Sequence, residues 1–160
     1  MKNKKQSWFY SNTVKEHFFK PKNIVKSKKE IKSFNAHGVG IAGHPVCGDV
    51  MKMWIKVDEK KDKVTDCKWQ TFGCASAIAS TSMLSVMITE KGGMPISKIL
   101  KIKPKDIAER LGGLPQIKFH CSMLGETALR NALNDYFKKS GQHSRIIKEY
   151  KGKGKKVVAK

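Results

Sequence analysis

The fold turns on "VTDCKWQTFGCASAIASTSMLSVMITEK", Val64 to Lys91, because its periodicity changes once, at a cysteine. Thr65, Cys67, Trp69 and Thr71 alternate with Asp66, Lys68 and Gln70, the period of two that marks a strand with one buried face. From Ala75 no charge appears until Glu90, a run that predicts a helix covered on most sides and stopped by Gly92 and Gly93. Ala75, Ser76, Ala77, Ala79, Ser80 and Ser82 keep its first turns small, so another backbone or a partner can approach closely there. Cys74 stands where strand gives way to helix. A helix N-terminus carries about half a positive charge and unpaired N–H donors, and both favour thiolate over thiol.

The pattern extends outward in both directions. Upstream, "MKMWIKV" sets Met51, Met53, Ile55 and Val57 against Lys52, Trp54 and Lys56, a second alternating strand joined to the first by the polar "DEKKDK". Before it, the glycine-punctuated "NAHGVGIAGHPVCGDV" predicts one short strand and then a loop holding Cys47 and Asp49. "SNTVKEHFF", from Ser11, reads as a short first helix ended by Pro21. Downstream, "PISKILKI" and "KPKDIAERLGG" suggest two short helical pieces, and "LPQIK" an extended segment. A final helix is predicted from about Ser122 to Phe137, with Met123, Leu124, Ala128, Leu129, Ala132, Leu133 and Tyr136 as its apolar stripe. Cys121 falls at its start, directly after His120. Beyond Lys138 the glycine- and lysine-rich chain has little to bury, and disorder is expected.

A chain of 160 residues is long enough for one domain with a real core. No apolar run is long enough to span a membrane, and the start lacks the apolar region and cleavage site of a signal peptide, so a cytoplasmic location is expected. In that reducing compartment Cys47, Cys67, Cys74 and Cys121 point to metal binding or thiolate chemistry and not to disulfides. The net charge of +20 invites a nucleic-acid reading. Against it, only three of the 33 cations are arginines, and lysine binds phosphate as a point charge without the fork that reads bases. No specific nucleic-acid partner is expected; the basic ends are expected to meet acidic ones.

Three thiolates, the Asp49 carboxylate and the His120 imidazole form a soft-leaning donor set suited to zinc or iron–sulfur chemistry and not to magnesium or calcium. Cys47, Cys74 and Cys121 lie far apart in sequence, so the fold must assemble them. The other candidates have plainer readings. Cys67 shares a strand face with Trp69 and reads as a buried apolar thiol. His44 is a loop histidine close enough to Cys47 to be an extra donor, and His17 and His143 read as surface residues.

"GHPVCGDVMKMWIKV", "TDCKWQTFGCASAIASTSML" and "GLPQIKFHCSMLGETALRNALNDYF" resemble the iron–sulfur cluster scaffold family that includes the IscU proteins and the N-terminal domain of NifU, and "YSNTVKEHFFKPKNI" is similar to its opening helix. The match runs from about residue 8 to 138 in one register. The resemblance implies a single α+β domain over residues 11–138, a three-stranded, mainly antiparallel sheet packed against several helices, between a basic extension at 1–10 and a basic tail at 139–160. It implies a non-enzymatic platform on which a [2Fe–2S] cluster is built and then passed to apo iron–sulfur proteins. The family's ligand positions fall on Cys47, Asp49, Cys74, His120 and Cys121. Iron(II) would be held there, a cysteine desulfurase would deliver persulfide sulfur to Cys121, and a ferredoxin would supply electrons. Zinc in the isolated protein and a homodimer are compatible with this scheme, and a zinc-bound persulfide relay is the alternative job.

Leu114, Pro115, Gln116, Ile117 and Lys118 resemble the segment by which an Hsp70-type chaperone recognises some members, with Gln116 and Ile117 departing from the pattern. The zinc-dependent SufU branch has an insertion and an arginine where this chain has His120, and the chain has neither; no cysteine follows Cys121 to suggest the further domains of NifU.

Overall fold

The computed structural model describes residues 11–44, 48–113 and 119–148, and at His44 and residues 119–122 the backbone alone. The chain opens with α1 (Asn12–Phe19), where Ser11 Oγ accepts the Val14 N–H at 3.1 Å. A second helix, α2 (Lys28–Phe34), was not evident from its sequence, which has only Ile31 and Phe34 as apolar residues. Capping forms it instead. Ser27 Oγ accepts the Glu30 N–H at 3.2 Å, the Glu30 carboxylate reaches back to the Lys26 N–H at 2.8 Å, and Asn35 closes the end in the left-handed region.

The sheet has order β1-β2-β3-β4, antiparallel throughout: β1 (Gly38–His44), β2 (Asp49–Asp58), β3 (Lys63–Thr71) and the two-residue β4 (Met94–Pro95). Four strands replace the expected three. The addition follows from Gly92 and Gly93, whose positive φ turns the chain back after the central helix. A Cβ on Gly93 would lie 2.3 Å from the Val64 carbonyl oxygen, so glycine permits the approach that pairs Met94 with Val64. Strand alternation is also interrupted once. Lys56 pairs with Asp66 but Val57 with Val64, so Thr65 bulges out of the ladder and Val64, not Thr65, joins Cys67 and Trp69 inside. On the opposite face Trp54 is buried rather than solvated.

The helix α3 (Ala75–Thr89) is central as expected, with residues facing every direction buried. Two short helices, α4 (Ile96–Ile99) and α5 (Pro104–Arg110), lead to α6 (Phe119–Lys139), which starts three residues before the predicted boundary. The last helix lies along β1 in close contact. A Cβ on Gly38 would meet the Ala132 carbonyl oxygen at 2.2 Å, and one on Gly40 the Ala128 carbonyl oxygen at 2.0 Å. Its polar side chains also close the strand's open edge: the Val39 N–H donates to Asp135 Oδ2 at 2.9 Å and Asn131 Nδ2 donates to the Ile41 carbonyl at 2.8 Å. Leu124, Ala128, Leu129, Ala132, Leu133 and Tyr136 are buried as the stripe predicts, while Met123 is half exposed.

Two further expectations need correction. His17 is buried at 7 % exposure, with Nδ1 2.7 Å from Ser82 Oγ on α3, because α1 packs its inner face on that helix. The tail is ordered through Lys148, since it does have something to bury: Ile146 and Ile147 pack on the core and Asn134 exchanges two hydrogen bonds with Ile147. Arg145 adds a bidentate pair with Asp62 at 2.7 and 2.8 Å and lies over the Phe137 ring. Residues 1–10 and 149–160 lie outside the described residues. Among those described, no helix is long and apolar enough to cross a membrane.

Candidate metal centre

Asp49 opens β2, is 8 % exposed, and pairs in register with His44 across the β1–β2 hairpin. One strand over, β3 ends at Thr71, whose Oγ1 donates to the Val50 carbonyl at 2.7 Å, and the Phe72 N–H donates to the same oxygen at 3.2 Å. These bonds clip the end of β3 to the start of β2. Gly73 then makes the corner. A Cβ there would lie 2.7 Å from Ala77 Cβ, 3.0 Å from Thr71 Oγ1 and 3.3 Å from Asp49 Oδ2. The Asp49 carboxylate therefore reaches the residue immediately before Cys74, and glycine is required there chiefly by Ala77, whose Cβ a side chain would strike.

Cys74 is the N-cap of α3, partly exposed, with extended backbone (φ −70, ψ 173). Its carbonyl accepts the Ile78 N–H at 3.1 Å, but its side chain makes no capping bond and no acidic residue lies in the helix's first turn. Cys74 thus stands at the positive end of the α3 dipole, and that first turn holds no carboxylate.

The placement of His120 and Cys121 follows from the direction of α6. Gly38 of β1 faces Ala132 and Gly40 faces Ala128, so the helix runs antiparallel to the strand. From Gly40 to His44 the strand advances about 13 Å, the length of about nine helical residues, which brings the first turn of α6 to the His44 end of β1. His120 and Cys121 are the second and third residues of that helix, not residues of a turn preceding it. Helical neighbours diverge by about 100° around the axis. Nearby, α6 crosses α3 closely: a Cβ on Gly125 would lie 3.0 Å from Thr81 Oγ1.

One end of the sheet therefore gathers Asp49, Cys74 and the backbone that bears His120 and Cys121. Cys47 and the segment Leu114 to Lys118 lie outside the described residues. Among those described, no three His, Cys, Asp or Glu side chains are grouped to hold a metal. Cys67 takes no part: it is fully buried, and burial pushes its thiol pKa far up. Gly73 and Thr71 are site-forming residues that the sequence reading did not single out; the glycine between a strand pattern and a helix pattern in "TFGC" is the signal that marks them. Around this end Phe72, Val50 and Met123 are exposed, Phe72 at 82 %.

Residues 9–143 match the NifU-like N-terminal domain family. The iron–sulfur cluster assembly scaffold protein IscU 1 of Archaeoglobus fulgidus is 47 % identical over 137 residues, covering 86 % of this chain and 82 % of that protein. The iron sulfur cluster assembly protein 1 of Trachipleistophora hominis is 48 % identical over 132 residues, covering 82 % of this chain and 89 % of that one. The nitrogen fixation protein NifU of Nostoc is 43 % identical, over 81 % of this chain but 42 % of its own length. Among solved structures, the N-terminal NifU-like protein of Brucella abortus shares the fold with a TM-score of 0.60 at 14 % identity, covering 81 % of this chain and 94 % of that one. With the family match spanning nearly the whole described chain and relatives approaching half identity, the protein belongs to the NifU-like N-terminal domain family.

Proposed function

We propose that this chain is an iron–sulfur cluster assembly scaffold, on which a [2Fe–2S] cluster is assembled from iron(II) and desulfurase-derived sulfur and then transferred to apo-proteins. The carrying observation is the corner at Gly73, which puts the Asp49 carboxylate beside the residue preceding Cys74 at the positive end of a buried helix. The first turn of α6, with His120 and Cys121, comes to the same end of the sheet, and Cys47 is two residues before Asp49 in the chain.

In this proposal Cys47, Cys74 and Cys121 bind iron as thiolates, with Asp49 or His120 as the harder donor. A cysteine desulfurase brings a persulfide; the Cys121 thiolate attacks its outer sulfur, the sulfur–sulfur bond breaks, and the desulfurase thiolate leaves. A ferredoxin supplies the electrons that reduce the delivered sulfur to sulfide. The mixed donor set supports release as well as assembly, since a carboxylate or imidazole holds iron less firmly than a fourth thiolate. The same donors suit zinc, which would compete with iron(II) for the site in the isolated protein. The exposed Phe72, Val50 and Met123 give partner proteins apolar surface at the edge of the site. Thiolate ligands need a reducing compartment, which supports a cytoplasmic location. A role for residues 114–118 in chaperone recognition and a shared cluster in a homodimer belong to the same proposal.

The test is anaerobic incubation with iron(II), cysteine, reduced ferredoxin and a catalytic amount of desulfurase, followed by visible and Mössbauer spectroscopy. A [2Fe–2S] spectrum is expected from the parent and a weakened or absent one from Cys121→Ser. Asp49→Cys, which supplies a fourth thiolate, is expected to retain the cluster longer and to transfer it more slowly to an apo-ferredoxin, and no change in retention or transfer with Asp49→Ala would count against Asp49 as the releasing ligand. Persulfide accumulating on a zinc-loaded protein that never forms a cluster would replace the scaffold with a sulfur relay.

A further inference from the structure

The link between α1 and α2 is held more firmly than a connection requires. The Lys22 N–H donates to Ser82 Oγ at 2.8 Å, and its carbonyl accepts from Trp69 Nε1 at 2.8 Å. Trp69 N–H donates to the Asn23 carbonyl at 3.2 Å, Asn23 Nδ2 donates to Ser85 Oγ at 3.1 Å, and the Val25 N–H donates to the Trp69 carbonyl at 2.9 Å. Buried hydroxyls of α3 and the edge of β3 thus fix the link in place.

A groove of about 490 Å³ lies along it, lined by Lys20, Lys22, Ile24, Lys26, Glu30 and Lys68 among others. Its single carboxylate is already committed: Glu30 Oε1 pairs with Lys68 Nζ at 2.8 Å, and Oε2 accepts the Lys26 N–H at 2.8 Å. Among the described residues no carboxylate lies within ion-pair distance of Lys20, Lys22 or Lys26, while Asp62, Glu90, Glu109, Glu126 and Asp135 are paired elsewhere. Among the described residues these three ammonium groups, on a rigid backbone, have no ion pair, Lys26 acting on Glu30 only from beyond ion-pair distance, and they can receive an external anion.

The lining narrows the anion. No arginine or aromatic ring faces the groove, so it offers neither the bidentate fork nor the stacking surface that nucleic acids use. The backbone N–H groups of Lys22, Val25 and Lys26 are turned to internal acceptors and do not form the amide cradle that phosphate groups favour. Long, separately mobile ammonium groups beside Ile24 suit spaced carboxylates on a polypeptide. We propose that this groove is a docking surface for an acidic segment of a partner protein, distinct from the Asp49–Cys74 corner.

The test is fluorescence anisotropy of a labelled glutamate-rich decapeptide with the full chain at physiological ionic strength. Lys22→Glu/Lys26→Glu is expected to weaken binding roughly tenfold or more, and an equal charge change elsewhere, Lys98→Glu/Lys101→Glu, less than about threefold. Glu30→Gln keeps an acceptor for the Lys26 N–H and frees Lys68, and is expected to tighten binding about threefold. If charge reversal disturbs folding, Lys22→Gln/Lys26→Gln carries the same test with a smaller loss. Equal losses from the two reversal pairs would reduce the groove to overall charge attraction and overturn the proposal. Tripolyphosphate or an oligonucleotide that displaces the peptide better than a glutamate-rich competitor of equal charge would overturn it too.

Discussion

Two helices bring residues to the same end of the sheet, and they are held there in opposite ways. The helix α3 is embedded: it has no charged residue from Ala75 to Thr89, and burial on every side fixes its axis. The helix α6 is clasped along one face. Glycines at positions 38 and 40 let it settle onto β1, and Asn131 and Asp135 fasten it to that strand's edge. An embedded helix can be aimed by small and apolar residues alone, whereas a clasped one depends on side chains that are missing from the strand beneath it.

The clasp breaks first at Gly40. A methyl group there would lie 2.0 Å from the Ala128 carbonyl oxygen and 2.3 Å from the Ala132 nitrogen, so the backbone of α6 must lift. Gly40→Val is expected to cost about 3 kcal/mol or more in urea unfolding and, with the proposed ligand Cys121 carried on the displaced helix, to abolish cluster assembly. Gly43 is the control. Its Cβ would have nothing nearer than the Asp49 carbonyl oxygen at 3.7 Å, so Gly43→Ala is expected to change stability by less than about 1 kcal/mol. Equal losses at the two positions would mean that strand backbone, and not helix contact, requires these glycines.

Next in size come the fastenings. Asn131→Ala and Asp135→Ala each leave one edge group of β1 without its partner, and each is expected to cost about 1 kcal/mol. If the double variant loses roughly the sum, the two bonds act separately along the helix. A loss well below the sum, with either single change already costing nearly as much as both, would make them a single latch.

A smaller, pH-dependent effect sharpens the embedded side. His17 stands between α1 and α3, and Ser82 Oγ accepts the Lys22 N–H at 2.8 Å, leaving its hydroxyl proton for Nδ1 of a neutral imidazole. Burial lowers the pKa of His17, with Lys22 and Arg110 acting in the same direction and Glu16 opposing. The unfolded chain therefore takes up this proton at higher pH than the folded one. Stability is full above the ordinary value of 6.5 and falls as pH drops from there through the lowered folded pKa. Urea midpoints between about pH 8 and 5 should show this decline, and His17→Gln should flatten it relative to the parent.

What the sequence disclosed follows the same division. Alternation in "MKMWIKV" and the uncharged run after Cys74 gave β2 and α3, because those elements owe their form to burial that a pattern records. The helix α2 rests on Ser27 and Glu30 side-chain caps within a lysine-dense stretch, and such caps leave almost no periodicity. Thr65 belongs to the right pattern on the wrong face, since a bulge is a choice between two strands and neither sequence alone contains it. At the candidate site the residue types were legible from the resemblance, but the Gly73 corner was not, because it depends on Asp49, Thr71 and Ala77 meeting across three elements.

The smallest expected effect tests the embedding at its least comfortable point. Thr81 is fully buried where α3 meets α6 at Gly125, and among the described residues its Oγ1 is the buried side-chain polar atom without a hydrogen-bond partner. An oxygen that has lost water and gained nothing costs free energy, whereas a methyl group of the same shape does not. Thr81→Val is therefore expected to leave stability unchanged or raise it by up to about 1 kcal/mol, with cluster assembly intact. That outcome would show that shape and burial suffice to hold α3 against α6. A loss of more than about 1 kcal/mol would instead assign the hydroxyl a hydrogen bond across the crossing, and α3 would then be fastened to its neighbour as α6 is to β1.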